Sequence, residues 1–330
     1  TCTEAATVED PAHESCPPWT LTTRGHVVLR SPQHDRLWTA NARVLDGPDL
    51  ARVGDGGYAL GARAAQIRDD LQGKPQFDER DLLAIQLDDR ALLLAPWQAL
   101  LLERARAAGT PALRALADAA FLWEGRASVD SVSYRIVRAW RLAVEQRILA
   151  GLTAPARQAL GKDFTVPNPP QFEGVVWPLV TQRPDNLLPR GYASWDALFE
   201  SAAKEVQGEL RAIGPLAQRT WGERNTAAIC HPLARAIPRV GRRWLCMPAE
   251  PLAGDGNMPR VTAPDFGASE RMVVSPGHEV DGILHMPGGQ SGHPLSPFWG
   301  AGHAEWVAGS VSSFLPGPTR YTLTLVPAAH

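Results

Sequence analysis

The spacing of the apolar residues changes along the chain, and this change constrains the fold more than any other feature of the sequence. Residues 59–160 carry apolar side chains at helical spacing. From Trp221 onward, short apolar runs separated by Gly and Pro are typical of strands. We therefore predict an α+β fold. Its predicted regions are a strand and loop segment over residues 1–58, a mainly helical region over 59–217 and a strand-rich region over 218–330.

Capping residues mark where several helices begin. Asp78, with Asp81 three residues later, predicts a capped helix that continues through the leucine-rich stretch to residue 94. Ser194 predicts the start of an amphipathic helix over residues 194–213. Further helices are expected over residues 113–123 and 131–152, and the Pro-rich stretch 163–190 is expected to be irregular.

The strand predictions fall at both ends of the chain. Residues 26–30 and 37–45 are composed of types that favour strands, and Asn41 lies inside the second segment. Later strands are expected over residues 271–274, 282–286 and 321–326.

The composition excludes several classes of protein. Apolar residues make up 44% and charged residues 21% of the chain, which is typical of a globular protein. The net charge of −2 and the lack of a basic stripe predict no nucleic-acid partner. The longest apolar run, residues 91–102, is too short to span a bilayer, so we predict no membrane partner.

The cysteines fall into two sequence-local pairs, Cys2 with Cys16 and Cys230 with Cys246. Neither pair has the spacing of a zinc site. Two local disulfides would suit an exported protein, whereas free, partly buried thiols are the alternative. The sequence does not fix the separations of the Cα atoms, so both interpretations stay open.

Asn41 and Arg63 are the candidate catalytic residues. The NH₂ group of an amide among apolar neighbours must find an acceptor. Asn41 therefore either donates to an oxyanion or bonds to backbone at a strand end. Arg63, near a helix start, either orients Asn41 or a substrate carboxylate, or lies on a solvated helix surface. The residue pattern alone leaves these alternatives open.

Three other features could take part in catalysis or ligand binding, but each has a simpler structural explanation. The Gly- and Pro-rich segment 288–297 lacks the Lys of a phosphate-binding loop and the spacing of a nucleophile elbow. We interpret it as a structural loop. His231, which precedes Pro232, is interpreted as a hydrogen-bonded turn residue. Thr1 would be an N-terminal nucleophile only if a strand followed it, and the polar residues after it predict a loop.

Several segments together resemble the penicillin acylase (penicillin amidase) family of N-terminal-nucleophile hydrolases. Residues 37–43 are similar to the segment with the family's oxyanion-hole asparagine, and residues 61–67 resemble the helix start with its active-site arginine. Further similar segments follow in the family's order at residues 85–88, 221–233, 267–273 and 288–294. The resemblance runs from about residue 25 to the C-terminus, although Phe298-Trp299-Gly300 departs from the family pattern.

The resemblance implies a fold and a route of maturation. The expected fold is part of an αββα sandwich, with a large helical insertion and a C-terminal strand-rich region. The family precursor cleaves itself into two subunits, and the large one begins with the nucleophilic Ser. This chain would be the C-terminal part of the large subunit. In it, Asn41 would be the oxyanion-hole donor and Arg63 the residue that orients it.

The resemblance also implies a cofactor, partners and a location. The family binds calcium, mostly through upstream residues, and Asp55 lies near the position of a downstream ligand without matching it cleanly. The expected partners are the upstream part of the large subunit, the small subunit from the same precursor and a small-molecule acyl amide. The expected location is the periplasm or the extracellular space.

The implied activity is hydrolysis of penicillin-type side chains or related acyl amides. An N-acyl homoserine lactone acylase is one alternative, and a non-catalytic or truncated homologue acting as a binding module is another. A hydrolase that uses Thr1 is a third. Since no segment matches the Ser nucleophile, we expect the chain to be a fragment. It should be inactive alone and poorly soluble, because its strand edges would lack partners.

Overall fold

The computed structural model describes residues 27–30, 35–54, 57–237 and 243–327. Helices dominate the middle, and short antiparallel strand pairs lie toward the C-terminal end, which confirms the predicted α+β class. The helices are α1 (Gly47–Val53), α2 (Ala62–Gln72), α3 (Glu79–Gln86), α4 (Ala95–Ala108), α5 (Pro111–Ala119), α6 (Val132–Leu160), α7 (Glu173–Gln182), α8 (Trp195–Arg211), α9 (Trp221–Arg224) and α10 (His303–Ala308). The strands are β1 (Thr262–Ala263), β2 (Phe266–Gly267), β3 (Arg271–Val273) and β4 (Ile283–His285).

The main hydrophobic core lies between α4, α5, α6 and α8. At its centre Trp140 contacts both Trp97 and Phe199, with ring centroids 5.8 Å apart in each pair. All three side chains are fully buried. Burial of each large apolar side chain contributes roughly 1.5–3 kcal/mol, so this aromatic cluster holds three helices together.

The predicted capping residues are confirmed. Asp81 N donates to Asp78 Oδ1 at 2.8 Å and Asp78 N donates to Asp81 Oδ2 at 3.1 Å, which forms a reciprocal capping box for α3. Ala197 N donates to Ser194 Oγ at 3.1 Å at the start of α8. These side chains satisfy backbone N–H groups that have no partner inside the helix. The helices predicted over 113–123 and 131–152 correspond to α5 and to the longer α6.

The prediction of one helix running to residue 94 is wrong. Helix α3 ends at Gln86, and residues 92–94 form a turn before α4. Asp88 Oδ1 accepts from the backbone N of Arg90 at 3.0 Å and from its Nε at 2.9 Å. Because a short carboxylate can bond to nearby backbone in this way, it competes with continuation of the helix.

The prediction that residues 163–190 are irregular is wrong in part, because α7 lies inside this stretch. Pro178 is within the helix and removes one backbone hydrogen bond. The helix nevertheless buries Val176, Leu179 and Val180 against the main core. Burial of these side chains offsets the cost of the proline. A prediction from residue preferences alone counts the cost of the proline and omits this burial.

Two of the predicted C-terminal strands are confirmed. Residues 271–274 and 282–286 correspond to β3 and β4, which pair antiparallel with Met272 opposite Leu284. A second hairpin joins β1 to β2, with Thr262 opposite Gly267. Val273 and Ile283 pack with Leu83 of α3 in a small second core.

The other strand predictions are wrong for the described residues. Residues 321–326 form no strand, and Tyr321 and Leu325 are 94% and 86% exposed. An alternating pattern forms a strand only where another strand pairs with it. None of the described strands pairs with residues 321–326. Residues 27–30 also form no strand, and His26 lies outside the described residues. Segment 37–45 makes only an isolated parallel bridge, between Ala42 and Ala59.

Cys230 and Cys246 form a disulfide, which decides between the two interpretations of this pair. Their backbones also form an isolated antiparallel bridge, so the covalent link joins two chain segments that already run side by side. Cys2 and Cys16 lie outside the described residues.

Among the described residues, the structure has no helix that is both long enough and apolar enough to cross a membrane. The described strands form two pairs, and the αββα sandwich stays a prediction. The division into regions 1–58, 59–217 and 218–330 also stays a prediction.

Candidate functional site

Asn41 lies in a turn and not inside a strand, which corrects the sequence prediction. The backbone φ angle is 54° at Ala40 and 59° at Asn41, so two consecutive residues are left-handed. Asn tolerates this region, whereas Ala does so at a cost of about 1–2 kcal/mol. Two left-handed residues interrupt the extended backbone, which explains why segment 37–45 forms no strand. They also turn the Asn41 side chain away from the direction that a strand would give it.

Backbone hydrogen bonds hold the turn in place. Ala42 N donates to Thr39 O at 3.1 Å, and Ala59 N donates to Asn41 O at 2.9 Å. Ala42 is buried, with 5% of its surface exposed. Strained backbone persists where the surroundings determine it from several sides, and this turn is fixed on both flanks of Asn41.

Arg63 lies in the first turn of α2 and reaches back to the turn. Its Nη2 donates to Asn41 Oδ1 at 2.7 Å and to Ala40 O at 2.8 Å. The structure therefore brings together the two residues that the sequence proposed as a pair. Of the alternatives left open for Arg63, the solvated helix surface is excluded by these contacts.

The bond from Arg63 determines which way the Asn41 amide faces. A guanidinium can only donate hydrogen bonds, so the atom that faces Arg63 must be Oδ1. The Nδ2 group then points away from Arg63. Within the described part of the chain, Nδ2 has no hydrogen-bond acceptor, so both of its N–H groups are available to a ligand.

The Arg63 guanidinium is partly buried. Desolvation lowers the pKa of Arg63 from its usual value, although an arginine stays protonated at neutral pH. No carboxylate among the described residues pairs with it. Its positive charge therefore acts mainly on the dipole of the Asn41 amide and on whatever binds beside it.

The Asn41–Arg63 pair opens into a cleft of about 550 Å³. The β1–β2 hairpin and the segment that follows it form another wall of this cleft. Besides Asn41 and Arg63, the lining includes the apolar residues Ile67, Ile229, Pro259, Val261, Phe266 and Pro287, and the polar residues Asp265, Ser269 and Glu270. A concave, mainly apolar site with a few polar groups is typical of small-molecule binding.

The hairpin wall rests on Trp306 of α10. Trp306 Nε1 donates to Ala268 O at 2.9 Å, and the ring of this fully buried Trp lies against Gly267. A Cβ atom at Gly267 would lie 2.6 Å from Trp306 Cζ2. Sequence reasoning assigned no role to Trp306. A buried indole N–H needs an acceptor, but the sequence does not say which carbonyl it reaches.

Among the described residues, the cleft contains no activated nucleophile. Ser269 is the cleft's hydroxyl side chain, and it makes no hydrogen bond to a basic group in that part of the chain. Nucleophilic catalysis by Ser requires such a base within about 3 Å. The described residues therefore supply a hydrogen-bond donor and its support, and no attacking group. Thr1 lies outside the described residues.

The other sequence candidates within the described residues do not line the cleft. Segment 288–297 forms a loop with turns, as predicted. Leu233 N donates to His231 Nδ1 at 3.1 Å, which confirms His231 as a hydrogen-bonded turn residue.

The residues that the structure describes contain no group of three or more His, Cys, Asp or Glu side chains that could hold a metal ion. The expected calcium site stays a prediction. Asp55, the nearest candidate, lies outside the described residues.

Comparison with known proteins relates the chain to a family and to a curated relative. The sequence model of the family described as penicillin amidase matches residues 18–319. The penicillin acylase 2 proenzyme of Pseudomonas sp. (strain SE83) is 29% identical over 301 residues, which cover 83% of this chain and 36% of that protein. The chain thus matches about a third of the length of this curated relative.

Proposed function

This chain belongs to the penicillin amidase family, and we propose that it forms part of an amidohydrolase that cleaves acyl amides by acyl transfer. In this proposal the chain contributes the support for the transition state. The substrate is a small acyl amide that binds in the cleft beside Asn41.

The orientation of the Asn41 amide carries the proposal. Attack on an amide carbonyl places negative charge on its oxygen, and a fixed N–H donor directed at that oxygen lowers the barrier. Because Arg63 holds Oδ1, Nδ2 is the group left to donate to the oxyanion. The amide needs no reorientation during the reaction, since its bond to Arg63 exists beforehand.

Arg63 acts as a positioning residue in this scheme. Its two acceptors, Ala40 O and Asn41 Oδ1, belong to adjacent residues of the strained turn. One Nη2 group thereby fixes both the backbone and the side chain of the turn. The positive charge behind the amide also polarises it, which makes Nδ2 a stronger donor.

The nucleophile belongs to another part of the protein in this proposal. We assign it to an N-terminal Ser activated by its own α-amine, on the upstream part of the large subunit. The relative is named a proenzyme, which supports a precursor cut into subunits. The small subunit and the upstream segment are then the partners of this chain.

The location and the cofactor are also proposals. The Cys230–Cys246 disulfide suits an oxidising compartment, which supports a periplasmic or secreted protein. Calcium would be held by residues beyond those described here, and no catalytic step depends on it.

The test is the turnover number of the complete protein with Asn41 replaced. Removal of one oxyanion-hole donor typically lowers kcat by about 10²–10³, so we expect this loss in Asn41→Ala with KM changed little. Asn186→Ala, an exposed amide far along the chain, is the matched control and should retain full turnover. Wild-type kcat in Asn41→Ala would reject the proposal.

A further inference from the structure

Arg271 is a buried guanidinium beneath the hairpin wall, and the proposed reaction does not use it. Only 1% of its surface is exposed. Its Nη1 donates to Trp306 O at 2.6 Å, and its Cζ lies 4.9 Å from the centroid of the Trp306 ring. The guanidinium is thus fixed against the same Trp that supports the cleft.

His285 is the other polar neighbour of Arg271, and it supplies no negative charge. Its Nε2 lies 2.6 Å from Ser310 O, which can only accept, so the ring proton is on Nε2. Nδ1 is then the acceptor that faces Arg271 Nη1 at 3.4 Å. Burial, together with the charge of Arg271, lowers the pKa of His285, which favours the neutral ring.

One edge of the Arg271 guanidinium has no partner among the described residues. Nε and Nη2 are both buried, and neither donates a hydrogen bond to an acceptor there. The N–H groups of these two atoms point in parallel from the same edge. This edge is the one that arginine uses for two-pronged binding of a carboxylate or another anion.

A second guanidinium, that of Arg260, lies beside the first. Arg260 Nη2 donates to Val307 O at 2.7 Å, and this carbonyl is adjacent in the chain to the one that Arg271 binds. Arg260 Nε is also buried without an acceptor among the described residues. Burial, together with the charge of Arg260, lowers the pKa of Arg271 to about 9, which leaves Arg271 cationic at neutral pH. Arg260 is cationic as well, because an arginine stays protonated in a protein.

No carboxylate of the described residues pairs with either arginine. Asp89 attracts Arg260 from a distance, but it is paired with Arg126. Glu305 of α10 is near His285 and bonds to neither arginine. A buried charge without a counter-charge is costly, and proteins neutralise it by pairing.

We propose that Arg271 and Arg260 form a binding site for a small monovalent anion, a halide or a carboxylate, beneath the β1–β2 hairpin. The anion is held by Nε and Nη2 of Arg271 and neutralises the buried pair of guanidinium groups. It thereby stabilises the contact of Trp306 with the hairpin wall. The site is separate from the Asn41 donor, so it stands or falls independently of the proposed reaction.

A crystal of the full chain grown with bromide tests the site directly. Bromide scatters anomalously, so an anomalous peak within about 3.5 Å of Arg271 Nε and Nη2 is expected, as for a hydrogen-bonded halide. A structure with bromide elsewhere but none at this edge overturns the proposal.

Thermal unfolding provides the second measurement. A ligand that binds only the folded state raises the unfolding midpoint with its concentration. From 1 to 100 mM chloride, with ionic strength held constant by a bulky sulfonate, we expect a rise of roughly 3–6 °C. Arg271→Gln should lose this response. Arg260→Gln keeps the Nε and Nη2 edge of Arg271 and should weaken the response. This second variant serves as the test if Arg271→Gln does not fold.

Arg224→Gln is the matched control, because Arg224 is exposed and the change in net charge is the same. It should keep the full response to chloride. Equal responses in the Arg224 and Arg271 variants would mean general screening and would overturn the proposal. So would a wild-type midpoint that does not depend on chloride.

Discussion

Arg63 Nη2 lies 2.7 Å from Asn41 Oδ1, across 22 positions of sequence, and this bond fixes which end of the amide is free. A carboxamide without such a neighbour can turn over and present oxygen in place of nitrogen. In this turn, a flipped amide would place Nδ2 of Asn41 against the Arg63 guanidinium, where two donors would face each other. The half-buried guanidinium would then lose Asn41 Oδ1 as its acceptor. The turn and Arg63 therefore form one hydrogen-bonded unit.

The first prediction is that Asn41 and Arg63 are not additive. In the complete protein, Arg63→Ala should lower kcat by about tenfold or more and change KM little, because the donor loses its orientation. Arg63→Lys should restore part of kcat, since an ammonium can donate to Oδ1. The double variant Asn41→Ala with Arg63→Ala should be no slower than Asn41→Ala alone, because Arg63 acts through Asn41. Independent, multiplying losses in steady-state kinetics would contradict this arrangement.

The second prediction concerns Glu145, a partly buried carboxyl on α6. Burial and the neighbouring Glu173 raise the pKa of Glu145 to about 7, although Arg141 and Arg138 oppose the rise. The folded protein thus keeps a proton that the unfolded chain releases near pH 4.5. The contribution of Glu145 to stability is present below pH 4.5 and is lost as the pH rises to about 7. The loss amounts to roughly 3 kcal/mol.

In Glu145→Gln the side chain is neutral at every pH. Denaturant unfolding of this variant should depend less on pH between 4.5 and 7, and above pH 7 the variant should be more stable than the wild type. Glu209→Gln, an exposed carboxyl on α8, serves as the control and should leave the slope unchanged. Asp88, whose pKa is lowered to about 2, titrates in a separate acid window. Identical pH profiles for Glu145→Gln and the wild type would refute the assignment.

The third prediction concerns Glu200, which caps a helix other than its own. It lies on α8, and its carboxylate accepts from Leu113 N at 3.0 Å, from Ala112 N at 3.3 Å and from the Thr110 hydroxyl at the start of α5. Glu200→Ala should destabilise the fold by about 2–3 kcal/mol, because it leaves buried N–H groups unpaired. Glu209→Ala, also on α8, should cost less than about 0.5 kcal/mol. Urea unfolding of both variants measures the difference.

The fourth prediction concerns Gly267, whose backbone lies against the Trp306 ring. Gly267→Ala places a Cβ 2.6 Å from Trp306 Cζ2, so either the hairpin or the ring must move. We expect a loss of about 1–3 kcal/mol in stability and a lower kcat in the complete protein, since the cleft wall shifts. Gly256→Ala meets no atom within 4 Å and should be close to neutral. Equal stabilities of the two variants would show that the contact is not tight.

Local features of this fold could be read from the sequence, whereas contacts between distant elements could not. The Asp78–Asp81 box and the Ser194 cap involve neighbours in the chain, and both were predictable. The cap that Glu200 gives to α5 joins residues 87 and 88 positions apart, so no local pattern contains it. Helix α7 was missed for a related reason, because tertiary burial outweighs the cost of Pro178.

The candidate site shows the same division. The pairing of Asn41 with Arg63 was predicted, because both residues lie in segments with a recognisable pattern. The left-handed turn at Ala40 and Asn41 was not, since the surrounding residues favour strands and an Asn is a much weaker signal of a positive φ than a Gly. Trp306 was missed because its contacts with Gly267 and Ala268 join elements that are far apart in the sequence.

The donor and the cation that orients it lie close together on one chain. A stretch from the turn to the end of α2 would therefore carry the proposed oxyanion donor, together with the arginine that orients it, into another member of the family. Exchange of residues 35–72 between relatives should preserve the donor's orientation, whereas exchange that ends between positions 41 and 63 should separate it from its support. The turnover numbers of chimeric enzymes with crossovers before and after Arg63 would measure this difference.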